Sequence, residues 1–140
     1  MRLLKDQDLS NKNVVLRLDL NVPIQDKRVL DPTRITSSVP TIKYLVDKNC
    51  KVLLTSHLGR PEEGAFDINF SMRPVADKLS EIINHEIDLI NSLASSDIFN
   101  TTQIQLLENL RFLVGEKDNN EELGYQLANK GDVYVFDAFG

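Results

Sequence analysis

Four short apolar segments of this chain each end in a cluster of polar or charged residues. The segments cover residues 14–18, 51–54, 104–107 and 133–136, and the clusters that follow them lie at 19–21, 55–60, 108–111 and 137. If the four segments are parallel strands of one sheet, all four clusters emerge at its carboxyl edge. In open α/β sheets that edge is where ligands bind. The pattern therefore predicts both a fold class and the position of a site.

Helical segments separate the predicted strands, which is typical of right-handed βαβ units. We expect a three-layer α/β/α fold with a parallel, Rossmann-like sheet that is incomplete at its carboxyl end. The predicted strands are 13–20, 51–55, 86–90 (an edge strand), 104–108 and 132–136, and the predicted helices begin near Ser37 or Ser38, near Ser71 and near residue 119, the last ending at 130.

The start of the first predicted helix rests on Pro40, which is favoured in a first helical turn. Residues 24–35 are rich in Gln, Asp, Lys and Arg and are predicted to form a loop. In this interpretation Arg34 is a loop residue that follows the first strand.

Composition narrows the class of protein. Hydrophobic residues make up 41% and charged residues 26% of 140 residues, as in a single globular domain. A net charge of −5 argues against general nucleic-acid binding, and no apolar stretch approaches the roughly 20 residues of a membrane span. The first residues reach Asp6 before any long apolar segment, and a lone Cys50 fits a reducing compartment. We expect a cytoplasmic protein with no nucleic-acid or membrane partner.

The residues after the predicted strands are chemically biased towards binding an anion. They include Asp19 and Asn21, then Arg34, and further along the chain His57 with Arg60, and Arg111. Guanidinium groups match the geometry of carboxylate and phosphate, so three of them at one edge predict a site for a small polyanion. Each residue has a simpler alternative: a solvated surface Arg, a loop His, or an Asp that stabilises its own turn. Their shared placement along one edge of the predicted sheet favours an anion-binding site over these simpler alternatives.

Several common sites are missing from the sequence. It contains neither G-x-x-x-x-G-K-[ST] nor G-x-G-x-x-G, and residues 59–64 place two Glu between their glycines. No pattern resembles a Ser-His-Asp or Cys-His arrangement, and no residues have the spacing of a metal site. The sequence therefore predicts a phosphate site that is not a standard nucleotide cradle.

Four segments resemble, in order, motifs of the phosphoglycerate kinase family. They are R-L-D-L-N-V-P at 17–23, S-H-L-G-R-P at 56–61, L-L-E-N-L-R-F at 106–112 followed by G-E at 115–116, and D-V-Y-V-F-D-A-F-G at 132–140. The resemblance covers the chain from about residue 3 to its end. Phe136 stands where the family usually has Asn, and Leu18 and Leu20 replace the commoner Val and Phe.

The resemblance implies a glycolytic kinase that transfers a phosphoryl group reversibly between 1,3-bisphosphoglycerate with ADP and 3-phosphoglycerate with ATP. Residues 1–140 would be most of the amino-terminal, substrate-binding domain. Mg²⁺ with ATP or ADP would bind a second domain that these residues lack, leaving no cofactor in this chain, and the protein would be a monomer. The implied contacts to 3-phosphoglycerate or 1,3-bisphosphoglycerate are Asp19, Leu20, Asn21, Arg34, His57, Leu58, Gly59, Arg60 and Arg111.

Within that set the resemblance implies different roles. Asp19 and Asn21 would bind the substrate hydroxyl, while Arg60 and Arg111 would bind its phosphate. Arg34 would lie nearest the reacting carboxylate and carry the catalytic role, because a carboxylate nucleophile needs charge neutralisation rather than a general base.

Three hypotheses follow for these 140 residues. They form the substrate-binding part of a kinase that does not turn over by itself, a stand-alone module that binds a phosphorylated acid, or a folding fragment without a competent site. The sequence ends at Gly140, just after a predicted strand, which predicts that these residues are the front of a longer protein.

Overall fold

The computed structural model of the protein describes residues 10–56, 71–92, 94–109 and 130–137. Its strands are Asn13–Leu18 (β1), Ile24–Gln25 (β2), Arg28–Val29 (β3), Lys51–Thr55 (β4), Ile87–Ile90 (β5), Ile104–Leu107 (β6) and Val133–Asp137 (β7), and its helices are Thr33–Asp47 (α1) and Arg73–Ile83 (α2). Five strands form one parallel sheet in the order β5-β6-β4-β1-β7. The predicted α/β class with a parallel, Rossmann-like sheet is confirmed, and β5 lies at an edge as predicted.

The alternation of side chains along β1 divides the apolar residues between the two faces of the sheet. Val14 and Leu16 belong to the larger core, whereas Val15 belongs to a smaller core on the other face. Both described helices pack on the first face. Their buried contributions to the larger core are Ile35, Ile42, Leu45, Val75, Ala76 and Leu79. Each of the Ile, Leu and Val side chains contributes about 1.5–3 kcal/mol when fully buried, so the packing of this helical layer stabilises the sheet.

The smaller core lies on the opposite face of the sheet. Val15 and Leu53 from the central strands pack there with Ile98 and Phe99, which precede β6. The helix predicted at 119–130 would complete the third layer of the predicted fold, and all of it except residue 130 lies outside the described residues.

Helix α1 begins at Thr33, four or five residues before the predicted start near Ser37 or Ser38. Asp31 supplies the starting signal, because its Oδ1 accepts hydrogen bonds from the Thr33 backbone N–H at 3.0 Å and from Thr33 Oγ1 at 2.5 Å. The Thr33 hydroxyl and amide hold the pKa of the Asp31 carboxyl below its ordinary value. Pro40 therefore lies inside the helix, and the prediction that it stands in the first turn is wrong. Arg34 is a helical residue, not a loop residue.

The segment predicted as a loop at 24–35 also contains a short antiparallel hairpin. Strands β2 and β3 pair Ile24 with Val29. Asp26 and Lys27 between them have φ values of 52° and 63°. Two consecutive residues with positive φ are the geometry of a tight type I′ turn. The hairpin takes up the chain between the sheet and α1, which brings the start of α1 back to the carboxyl edge.

The remaining described elements agree with the predicted ones to within two residues at each end. Helix α2 begins at Arg73 with Pro74 in its first turn, and its C-cap Asn84 has φ 52°. Left-handed geometry at that position is a common way to end a helix. Neither described helix is long and apolar enough to cross a bilayer.

Candidate functional site

The turn after β1 forms the centre of the candidate site. Leu20 points into the larger core and is fully buried, while Asp19 and Asn21 on either side of it are partly exposed. β1 pairs with β4 on one side and with β7 on the other, so the turn leaves the sheet from an interior strand. The strand alternation thus presents two polar side chains to the carboxyl edge and anchors the residue between them.

Arg34 reaches this turn from the first turn of α1. Its Nη1 donates to Asp19 Oδ1 at 3.2 Å and to the backbone carbonyl oxygen of Asn21 at 2.7 Å. The side chains of Arg34 and Asp19 are 54% and 34% exposed. An ion pair this open to water is worth about 0–1 kcal/mol, so it orients the two groups more than it stabilises the fold.

The contacts of Arg34 and Asp19 use only part of each group. Within the described residues, Arg34 Nε and Nη2 have no hydrogen-bond partner, and neither does Asp19 Oδ2. A guanidinium fork with one edge engaged can still offer its other N–H groups to a carboxylate. A carboxylate oxygen next to it can accept a hydrogen bond from a hydroxyl. The arrangement suits a ligand that carries both functions.

Asp19 also stabilises its own turn, as the simpler alternative from sequence proposed. Asp19 Oδ1 accepts a hydrogen bond from the backbone N–H of Asn21 at 3.2 Å, the two-residue pattern of an Asx turn. The two interpretations are compatible, because one carboxylate oxygen holds both Asn21 and Arg34. The local turn orients the residue for whatever it binds.

Five further predicted site residues follow β4 and β6 in the sequence. His57, Leu58, Gly59, Arg60 and Arg111 lie outside the described residues. Of the nine predicted positions, the structure describes Asp19, Leu20, Asn21 and Arg34, and it brings them together in one turn and one helix start. The predicted meeting of three arginines at this edge stays a prediction.

Two buried residues at the same edge were not chosen from the sequence. Ser56 follows β4 directly, and its Oγ accepts a hydrogen bond from the Leu20 backbone N–H at 2.9 Å. Glu108 follows β6 directly and is 6% exposed. Its carboxylate accepts hydrogen bonds from Ser71 Oγ at 2.7 Å and from the Met72 and Asn109 N–H groups at 2.6 and 3.0 Å.

Both residues tie together parts of the chain that lie far apart in sequence. Glu108 joins the segment before α2 to the end of β6, and Ser56 joins the ends of β4 and β1. The available signal was their position, each being the first polar residue after a buried strand. A hydroxyl and a carboxylate gave no reason to prefer them over the neighbouring His and Arg as groups that bind an anion.

Thr55 is the last residue of β4, next to Ser56. It is fully buried, and its Oγ1 makes no hydrogen bond within the described part of the chain. An unpaired buried hydroxyl costs about 1–3 kcal/mol. This edge of the sheet is therefore not optimised for stability alone.

Comparison with known proteins identifies the family to which this chain belongs. A family model described as phosphoglycerate kinase matches residues 4–140. The chain belongs to the phosphoglycerate kinase family. The resemblance seen in the sequence motifs is thereby confirmed over nearly the whole chain.

Named phosphoglycerate kinases resemble the chain closely in sequence. That of Desulfovibrio desulfuricans is 47% identical over 137 residues, which is 98% of this chain and 35% of that protein. That of Francisella tularensis subsp. holarctica is 44% identical over 136 residues, again 35% of that protein. The chain thus spans about a third of the length of these phosphoglycerate kinases.

Solved structures of phosphoglycerate kinases share the fold. The chain matches the structure from Coxiella burnetii with a TM-score of 0.88 at 40% identity, covering 97% of this chain and 35% of that one. It matches the structure from Pyrococcus horikoshii with a TM-score of 0.83 at 28% identity, covering 99% and 37%. The parallel sheet and its helices are therefore those of phosphoglycerate kinases.

Proposed function

We propose that this chain forms the 3-phosphoglycerate site of a phosphoglycerate kinase, as most of the amino-terminal domain of that enzyme. In this proposal the nucleotide and its Mg²⁺ bind elsewhere in the full enzyme, and the 140 residues alone do not turn over. The proposed enzyme acts in glycolysis as a monomer. Its expected location is the cytoplasm, and the single, buried Cys50 fits that reducing compartment.

The observation that carries the proposal is the half-engaged guanidinium of Arg34. Nη1 is fixed by Asp19 and by the Asn21 carbonyl, so the remaining N–H groups are held in a defined direction at the carboxyl edge of the sheet. A carboxylate of the substrate is the complementary group, and a pre-oriented fork loses little conformational entropy on binding it.

The chemistry requires charge neutralisation at this position. In the proposed reaction a carboxylate oxygen of 3-phosphoglycerate attacks the terminal phosphorus of ATP, and the bond from that phosphorus to the ADP oxygen breaks. The anionic nucleophile must approach an anionic phosphoryl group, so a cation beside the carboxylate lowers the repulsion between them. Arg34 would supply that cation, and Asp19 would accept a hydrogen bond from the substrate hydroxyl.

Within the described ranges no three His, Cys, Asp or Glu side chains converge as a metal site. The roles proposed for Arg34 and Asp19 need no metal ligand from these ranges, because both side chains act on the organic acid. The proposal assigns the nucleotide and its metal to a different part of the enzyme.

Titration of the 140-residue chain with 3-phosphoglycerate tests the proposal, with amide NMR signals as the readout. We expect shifts at 19–21, 57–60 and 108–111 that weaken as salt is added, because charge pairs dominate the contact. Inorganic phosphate is the reference ligand. Equal affinity for phosphate and 3-phosphoglycerate, or no shifts at these residues, would favour the folding-fragment hypothesis.

Arg34→Met separates a specific contact from a general charge effect. We expect it to cost about 2 kcal/mol of binding, or roughly thirtyfold in Kd. Lys51→Met removes the same charge at the first residue of β4. That residue lies at the amino ends of the strands, away from the candidate site, so Kd should stay nearly unchanged. Equal effects of the two variants would contradict the assigned role of Arg34.

A further inference from the structure

The hydroxyl of Ser56 connects two neighbouring strand ends at the candidate site. Ser56 is 1% exposed, and its Oγ lies 2.9 Å from the Leu20 backbone nitrogen, 36 residues earlier in the chain. The hydrogen bond is buried. Leu20 is the central residue of the turn that presents Asp19 and Asn21.

This hydrogen bond continues the connection between β1 and β4 beyond the end of the sheet. The backbone pairing of the two strands ends at Arg17 opposite Thr55. A buried backbone N–H needs an acceptor, and beyond the last ladder pair none is supplied by regular pairing. Ser56 Oγ provides it. Leu20 is thus fixed twice, by its side chain in the larger core and by its amide on Ser56.

Fixing Leu20 also fixes the groups that hold Arg34. The Asp19 carboxylate and the Asn21 carbonyl stand one residue to either side of Leu20, and both accept from the same nitrogen, Arg34 Nη1. A rotation of the turn about Leu20 would move these two acceptors in opposite directions. The turn therefore links the Ser56 hydroxyl to the guanidinium of Arg34 through two hydrogen-bonded steps.

We propose that Ser56 is a positioning residue of the substrate site, which sets the orientation of the Asp19–Asn21 turn and through it that of Arg34. The inference rests on the proposed binding of 3-phosphoglycerate. It adds a role for a residue whose own hydroxyl is used inside the protein. Substrate affinity should then depend on Ser56 more strongly than stability alone would explain.

Ser56→Ala and Ser80→Ala in the 140-residue chain form a matched pair. Ser80 Oγ donates to the His85 carbonyl oxygen at 2.6 Å between α2 and β5, at the amino end of the sheet. Each substitution removes one hydroxyl that is bonded to the backbone, and urea unfolding measures its effect on stability. We expect Ser56→Ala to raise Kd for 3-phosphoglycerate about tenfold, since small misplacements of binding groups are costly. Ser80→Ala should stay within about twofold, because distant sites act independently.

Two further measurements make the test decisive. The Leu20 amide signal should shift in Ser56→Ala without ligand and stay in place in Ser80→Ala. Ser56→Thr keeps the hydroxyl and should restore most of the affinity. If Ser56→Ala does not fold, Ser56→Cys replaces it, because sulfur is a weak acceptor, and it should also raise Kd.

The outcomes separate this inference from the proposed function. A parent chain that does not bind 3-phosphoglycerate overturns both. A parent chain that binds, with Kd unchanged in Ser56→Ala or in Ser56→Cys, overturns only the role of Ser56. Equal losses of affinity in the Ser56 and Ser80 variants would show a general effect of stability and would also overturn it.

Discussion

Replacing Thr55 by Val should stabilise the protein, although it removes a polar group beside the candidate site. Thr55 is fully buried at the end of β4, and its Oγ1 has no hydrogen-bond partner within the described residues. Valine has nearly the same shape and replaces the hydroxyl by a methyl group. The substitution therefore exchanges an unsatisfied buried oxygen for carbon in an apolar strand end.

The expected change in the free energy of unfolding follows from two contributions. Removing an unpaired buried hydroxyl relieves about 1–3 kcal/mol of desolvation cost. Burying one more methyl group contributes at most about 0.8 kcal/mol. Part of this gain is lost where the surrounding side chains do not fit the methyl group closely. We expect a net increase of about 1–2 kcal/mol in the free energy of unfolding, or about 3–6 °C in Tm for a chain of this length.

Urea unfolding followed by circular dichroism at 25 °C measures the change, and Thr102→Val is the matched control. Thr102 Oγ1 donates to the Ile104 carbonyl oxygen at 2.6 Å and accepts from the Asp88 N–H at 3.3 Å. The same substitution there should destabilise the protein by about 1–2 kcal/mol. A loss of stability of about 1 kcal/mol or more in Thr55→Val would refute the reasoning, because it would mean that the hydroxyl is paired in the folded protein.

Two further predictions concern a close backbone contact and a helix start. Gly131→Ala should lower stability by about 1–3 kcal/mol, since its Cβ would lie 2.7 Å from the Asn13 carbonyl oxygen. Urea unfolding should show no comparable loss for the exposed neighbour Lys130→Ala, and equal losses would contradict the contact. The pKa of Asp31 is lowered by its hydrogen bonds to Thr33, so this contribution to stability is present above its unfolded pKa and disappears as pH falls through the folded value. NMR titration of the Asp31 carboxyl should give a midpoint below that of an unstructured peptide, and a midpoint at or above it would contradict the hydrogen bonds from Thr33.

The sequence predicted the sheet because its strands are short apolar runs with clear ends. Ile104–Leu107 is buried at all four positions, and its boundaries follow from the polar residues on either side. The prediction is wrong at the start of α1, because the charged segment before it has the composition of a loop. The helix start depends on Asp31, and an Asp two residues before Thr33 looks the same in a loop as at a helix end.

Part of the candidate site was predictable and part was not. Residue type and position after a strand were enough to select Asp19 and Asn21, whereas Arg34 belongs to the start of α1 and was selected for its charge. Ser56 could not be selected, because its role depends on a distance to a backbone nitrogen 36 residues away. No local pattern encodes such a distance.

The sequence by itself determined the fold class, the edge of the sheet that carries the polar clusters, and the chemical bias of those clusters towards an anion. These features depend on the period of apolar residues and on residue type, which are local properties of the chain. Only the tertiary structure decided that Arg34 donates from a single nitrogen to the turn after β1, and that Ser56 accepts a hydrogen bond from the Leu20 amide in that turn. The tertiary structure also decided that the Thr55 hydroxyl has no hydrogen-bond partner among the described residues. Those features depend on how distant segments approach each other once the core has packed, because a hydrogen bond forms or fails within a few tenths of an ångström.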